Sequence, residues 1–283
     1  MYPSSPTGRR QSPQVYRLRR AAAASAVVIV LYLVYQLMGG GGGDESAATT
    51  TSSSTSTTLP AVPVCRDDTE VVVQEDPKEQ WATIIVDTER SLPPGFGPPD
   101  LTNSSEAGVP FTDGVALRGF VMDDLSRMRE AAATDGAPFT IIAGYRSYPT
   151  QVDLFDRRVS ELGSTEAGSR VARPGHSEHQ LGTTIDVTSL GLTDVDQSWG
   201  ASSTGQWIAS NAHKFGFILS YPADAQGSTC YDYEPWHLRY VGPDQAAQVI
   251  ASGLTLREYL FSLGVNTIVA GTPTTTSTVA AED

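Results

Sequence analysis

Cysteine is nearly absent from this chain. Its 283 residues contain two, Cys65 and Cys230, too few for a disulfide scaffold and wrongly spaced for a zinc motif. Neither has a His or Cys beside it, which leaves thiolate ligation and thiol catalysis without support. One disulfide or two free thiols remain, and an oxidising compartment favours the bond. Basic residues are also in the minority: 19 Lys and Arg stand against 32 Asp and Glu, a formal net charge of −13. Five arginines (Arg9, Arg10, Arg17, Arg19, Arg20) fall in the first 38 residues, which hold no acid. The rest therefore has 14 basic against 32 acidic groups, net −18. So acidic a domain excludes nucleic acid as a partner. Histidine is scarce, with four in all, and no internal repeat is visible.

What is present is ordinary enough to bury a sizeable core, with 40% hydrophobic and 18% charged residues. The basic, polar segment 1–20 precedes an apolar run from Ala21 to Met38, interrupted only by Ser25 and Gln36. That run is long for a signal-peptide core and about the minimum for a spanning helix. The arginines before it predict a cytoplasmic N-terminus and an extracytoplasmic remainder: a single-pass cell-membrane protein. A cleaved signal peptide is the alternative, but no convincing small-x-small site follows the run, and its Ala-rich stretch precedes its most apolar part. Residues 39–63 are mostly Gly, Ser, Thr and Pro, with few large side chains, and cannot bury enough surface to fold, so a disordered stalk is expected. Residues 265–283 read as a disordered tail, leaving one domain over 64–264.

Within that domain Trp81–Asp87 reads as a short buried strand. The proline-rich Ser91–Leu101 reads as an irregular loop. Helical spacing predicts helices over Val115–Ala133, Thr150–Leu162 and Gly205–Phe215. Strands are expected at Phe139–Ala143, Thr183–Thr188, Phe217–Tyr221 and His237–Val241. Short helices at Asp244–Ser252 and Thr255–Leu263 close the domain. The pattern is α+β, a small and mainly antiparallel sheet with flanking helices.

The chemistry lies in two stretches. Ser177–Asp186 holds His179 and Asp186, seven residues apart, which on one unbroken strand would face opposite sides. Gly182 between them permits the turn that lets both face one metal. Asp186 then projects from a strand whose Ile185 and Val187 pack beneath. Alone the pair is a weak signal, equally a loop His and an unrelated Asp. Glu234-Pro235-Trp236-His237 strengthens it. Pro235 biases Glu234 towards an extended conformation, and Tyr231, Tyr233 and Trp236 are apolar surroundings that raise a carboxyl pKa towards what a general base needs. Two imidazoles, one carboxylate ligand and one spare carboxylate suffice to bind one Zn²⁺ and activate one water.

Ser177-x-His179-x-x-Gly182-x-x-x-Asp186 followed by Glu234-x-x-His237, and preceded by Gly144-Tyr145-Arg146-Ser147, resembles the VanY-type D-alanyl-D-alanine carboxypeptidases. These belong to a zinc peptidase group that includes the D-Ala-D-Ala dipeptidases and the lysostaphin-type and hedgehog folds. The resemblance covers about residues 81–260. It departs at Thr183-Thr184, where the family usually has Leu-Ala. It implies that His179, Asp186 and His237 bind Zn²⁺, that Glu234 moves the proton, and that Arg146 meets the substrate's carboxylate or its oxyanion. Ser177, Gln151 and Trp236 are implied around the substrate. The implied activity is removal of the terminal D-alanine from peptidoglycan stem peptides. An endopeptidase or D,D-dipeptidase cutting elsewhere in the stem, or a non-catalytic wall-binding module, are the alternatives. His176 reads as lying behind the site or exposed, and His213 as solvated.

Overall fold

A computed structural model describes Cys65, residues 72–73, 79–106 and 115–264. The expected segments 1–20, 21–38, 39–63 and 265–283 lie outside the described residues. Among the described residues no helix is long and apolar enough to cross a membrane.

Two short ladders come first. Strand β1 (Val72–Val73) pairs parallel with β2 (Arg90–Ser91), and β3 (Leu101–Asn103) pairs antiparallel with β4 (Ala116–Arg118). The main sheet joins β5 (Phe139–Ala143), β6 (Thr184–Ser189), β7 (Phe217–Leu219) and β8 (His237–Tyr240) in the order β5-β6-β8-β7, antiparallel throughout. The helices are α1 (Met122–Thr134), α2 (Tyr148–Leu162), α3 (Ser164–Arg170), α4 (Ser203–Asn211), α5 (Gln226–Thr229), α6 (Pro243–Ser252) and α7 (Leu256–Ser262). The class is α+β, as the sequence predicts.

Strand alternation divides the sheet into two faces. Ile185, Val187, Leu238 and Tyr240 point to one side and join Leu125 and Met128 of α1 and Ile208 of α4 in the principal core. Asp186, His237 and Arg239 occupy the intervening positions and face the other way, where the site is built. Helix α2 begins two residues before the predicted start. The Ser147 side chain accepts from the Thr150 amide, with proline in the first turn, a favourable N-terminus.

Two predicted elements change. The helix expected from Val115 begins only at Met122, because Ala116–Arg118 pairs with Leu101–Asn103 and the Gly119 amide donates to the Asp100 carbonyl at 3.0 Å. The strand expected at Trp81–Asp87 is an unpaired strap. Its Ile84, Ile85 and Val86 are buried, but side chains take its carbonyls: Arg239 Nη2 donates to Trp81 O at 3.0 Å and Ile84 O at 2.6 Å, and Gln245 Nε2 to Ala82 O at 2.7 Å.

Candidate active site

His179 rides on a 3-10 turn, Glu178–Leu181, that ends at Gly182 in the left-handed region with φ 71°. A Cβ at 182 would lie 2.9 Å from Pro98 Cγ and 3.1 Å from Arg118 Cγ, so glycine is required by backbone and by space. The chain then enters β6, where Asp186 sits directly opposite His237 on β8. One donor atom from each of His179, Asp186 and His237 lies within 4.8 Å of the others. His179 Nε2 is 3.3 Å from Asp186 Oδ2, and His237 Nδ1 is 3.3 Å from Asp186 Oδ1. The imidazoles meet edge-on, centroids 5.0 Å apart.

This arrangement fits a metal. Asp186 Oδ1 is buried with no well-formed hydrogen bond, only the 3.3 Å approach of His237 Nδ1, costly for a carboxylate unless a cation stands beside it. Two imidazole nitrogens and a carboxylate are a donor set that zinc takes in catalytic sites, leaving a fourth position open. Each histidine's other nitrogen is engaged. His179 Nδ1 meets the Gly144 carbonyl at 2.8 Å, and His237 Nε2 meets Glu178 Oε2 at 3.0 Å. Glu178 in turn accepts from Ser220 Oγ at 2.7 Å and Arg239 Nη1 at 2.9 Å.

The sequence reading missed Glu178. It adjoins His179, but its partners lie 42 to 61 residues downstream. One signal was available: Arg239 is two residues beyond His237 on a strand and hence on the same face, and a buried arginine there requires a carboxylate.

Glu234 lies beside the metal set, its Oε2 3.4 Å from His237 Nδ1. Burial pushes its pKa up to about 8; His237 and Arg146 pull it down, while Asp186 and Glu178 add to the rise. Burial acts the same way on Asp186, yet His179 and His237 hold that carboxyl well below the usual range. For Glu178, burial is overcome by Arg239, His237 and Ser220, and the pKa falls to about 2. Burial depresses His237, but bonds to Asp186 and Glu178 win and push it up to about 10 in the metal-free protein; His179 is lowered, chiefly by burial. Burial lowers the Arg146 pKa, while Asp186 and Glu234 oppose it.

A cavity of about 270 Å³ collects Arg146, Ser177, His179, Asp186, Glu234, Trp236 and His237. Gln151 is the exception. It is buried, donating from Nε2 to the Ala172 carbonyl at 2.6 Å and accepting from Arg146 Nη1 at 3.0 Å. With both ends of its amide engaged, it stands behind Arg146 rather than against the peptide. Tyr221, which the sequence reading placed only on a strand, packs against the His237 ring, centroids 4.7 Å apart and planes tilted by 39°. His176 is buried, its Nδ1 2.6 Å from the Asp87 carbonyl; His213 is half-buried. Cys65 and Cys230 are bonded, with Cα atoms 5.3 Å apart.

A buried His-Asp-His set with a free glutamate and an arginine on one cavity is the site of a metallopeptidase. A family model described as VanY, D-alanyl-D-alanine carboxypeptidase, matches residues 115–243. The putative carboxypeptidase YodJ of Bacillus subtilis is 37% identical over 179 residues, 62% of this chain and 65% of YodJ, so the chain spans slightly under two thirds of that relative. The solved structure of the LdcB LD-carboxypeptidase is 34% identical, covering 70% of this chain and 92% of its own, with a TM-score of 0.61. That of a mutant of the vancomycin-resistance D,D-pentapeptidase VanY in complex with Zn(II) is 30% identical, covering 64% and 99%, with a TM-score of 0.55. The chain belongs to the VanY family.

Proposed function

We propose that the protein is a zinc-dependent D-alanyl-D-alanine carboxypeptidase that removes the terminal D-alanine from peptidoglycan stem peptides. The observation that carries this reading is the convergence of His179, Asp186 and His237 within 4.8 Å, with Glu234 adjacent but outside the set. These three residues would hold the zinc. When bound, it would supply polarisation of the scissile carbonyl and acidify a water at neutral pH.

The protein's own groups account for the rest. Glu234, whose burial favours holding a proton, takes one from the attacking water and passes it to the nitrogen of the departing D-alanine. A cation beside it would draw its pKa down from the metal-free value, towards the working range of a general base. Arg146 directs its guanidinium into the cavity, held from behind by Gln151. There it clamps the terminal carboxylate or steadies the oxyanion. Ser177 and Trp236 line the substrate's place. The apolar run 21–38 anchors the protein in the cytoplasmic membrane, and the stalk 39–63 lets the outward-facing domain sample the wall at high effective concentration.

A second reading has specific support, because the LdcB structure bears the description LD-carboxypeptidase. It would have this enzyme take the single D-alanine of a tetrapeptide. Mass analysis of stem pentapeptide and tetrapeptide after incubation with the protein, with and without chelator, separates the readings. The D,D activity predicts chelator-sensitive loss of one alanine from the pentapeptide and an untouched tetrapeptide. Loss from the tetrapeptide alone favours the L,D reading, and release of the intact dipeptide makes the protein a dipeptidase.

A further inference from the structure

A groove continues from the catalytic cavity. The cavity holds about 270 Å³ and the groove about 770 Å³. They share Arg158, Arg170, Val171, Glu234 and Trp236, so one ligand can occupy both. Arg146 lines the cavity but not the groove. A peptide with its terminal carboxylate on Arg146 therefore has a roomy exit past Glu234, and the groove receives the residues that precede the cleaved bond.

The groove's lining is mixed in charge, two arginines against Asp196, Asp232 and Glu234, with both arginines on the bank it shares with the cavity. The protein carries −13, yet Arg158 of α2 and Arg170 of α3 flank the neck. Their protein partners are weak competitors. Arg158 meets Glu161 at 2.8 Å and Arg170 meets Glu166 at 2.9 Å, and all four side chains are about half exposed. Exposed pairs along one helix contribute little and exchange readily. On the far bank Asp196 is occupied with the Ser198 amide at 2.8 Å, and Asp232 stands 3.9 Å from Arg170 Nε. Both guanidiniums are thus able to take an anion from the substrate.

A stem peptide built with a γ-linked glutamate and a diamino dicarboxylic acid offers two carboxylates upstream of the cleaved bond, the α-carboxylate of the first and the side-chain carboxylate of the second. We infer that the groove is a subsite for a second substrate carboxylate, bound by Arg158 and Arg170. This rests on the carboxypeptidase reading above. A guanidinium fork matches a carboxylate with two parallel bonds, whereas an amidated group lacks the charge. The enzyme accordingly prefers acidic stem peptides to amidated ones.

The test uses the zinc-loaded full-length protein on four peptides: one acidic at both positions, one amidated at the glutamate, one amidated at the diamino acid, and a short acyl-D-Ala-D-Ala that does not reach the groove. The wild type is compared with the Arg158→Gln, Arg170→Gln double variant. One amidation should lower wild-type kcat/KM about tenfold, the size of one charge-assisted contact. The double variant should cleave acidic and amidated peptides alike, each protein's turnover of the long peptides being taken relative to its own turnover of the short substrate. The amidation that matters identifies which carboxylate is read. Equal turnover of all long peptides by the wild type, or an undiminished preference in the double variant, overturns the inference, while cleavage of the short substrate upholds the reaction. If no peptide loses alanine, the reaction itself is misread, and calorimetric binding of the same acidic and amidated peptides decides the subsite by the same comparison.

Discussion

His179 and His237 point at the same place but are held by different kinds of partner. His179 rests on a neutral backbone carbonyl, that of Gly144. His237 rests on a carboxylate, Glu178, which is itself clamped by Arg239 and Ser220. A carbonyl orients a ring and fixes its tautomer; a carboxylate also makes the ring a stronger donor. The split follows from where each residue sits. The turn carrying His179 runs beside the end of β5, where peptide groups are at hand. His237 sits in mid-sheet, where only side chains on its own face reach it. One site thus carries two kinds of support, one built into the backbone and one that substitution can remove.

The strongest test of that comparison is at the ligands themselves. His179→Ala and His237→Ala should each lose zinc retention and hydrolysis together; one variant that retains stoichiometric zinc after dialysis would remove its residue from the set. Next, Glu234→Ala should keep its zinc while turnover falls on the order of 10²–10⁴-fold; unchanged turnover would remove the proton-transfer role. Supporting residues come third. Glu178→Gln should weaken zinc binding about 10–100-fold in chelator competition, and an unaltered affinity would mean the carboxylate adds nothing beyond a carbonyl. On the His179 side, Gly144→Ala should cost about 1–3 kcal/mol in urea melts through overpacking, since a Cβ there would lie 2.7 Å from the Ala116 carbonyl and from Val115 Cγ1. Wild-type stability in that variant would show the seat to be loose.

The smallest effect is on pH dependence. Glu178 in the metal-free protein has its pKa lowered from 4.5 to about 2. Its contribution is therefore complete above 4.5 and declines as the pH falls towards 2. The stability gap between wild type and Glu178→Gln should narrow over that range in chelator-treated samples. A constant gap would mean that shape, rather than charge, secures His237.

Much of this was readable from residue order. Strands β5, β6 and β8 are β-branched or alternating, and α2 and α6 carry clear apolar faces, because local packing dictates those patterns. His179, Asp186, Glu234 and His237 stood out because few side chains serve that chemistry and their spacing is distinctive. What escaped was decided at long range. Trp81–Asp87 has the composition of a strand, but its carbonyls go to Arg239 and Gln245, more than 150 residues away. The resemblance implies Gln151 around the substrate; the bonds from its amide to Ala172 and to Arg146 place it behind the arginine. Glu178 gave no local sign at all, since each of its partners enters from β8 or the residue after β7.

The bond between Cys65 and Cys230 also sets a mechanical path. Force applied to the chain ahead of Cys65 does not need to pass through the intervening 165 positions of sequence separation. It crosses the sulfurs and enters the domain at Cys230, four residues before Glu234. The disulfide lets the load bypass the strap and strands β5 to β7 and reach the turn that leads into Glu234. The covalent link also ties the chain ahead of the strap to the turn before Glu234, so the strap is held at that end as well as beneath Arg239.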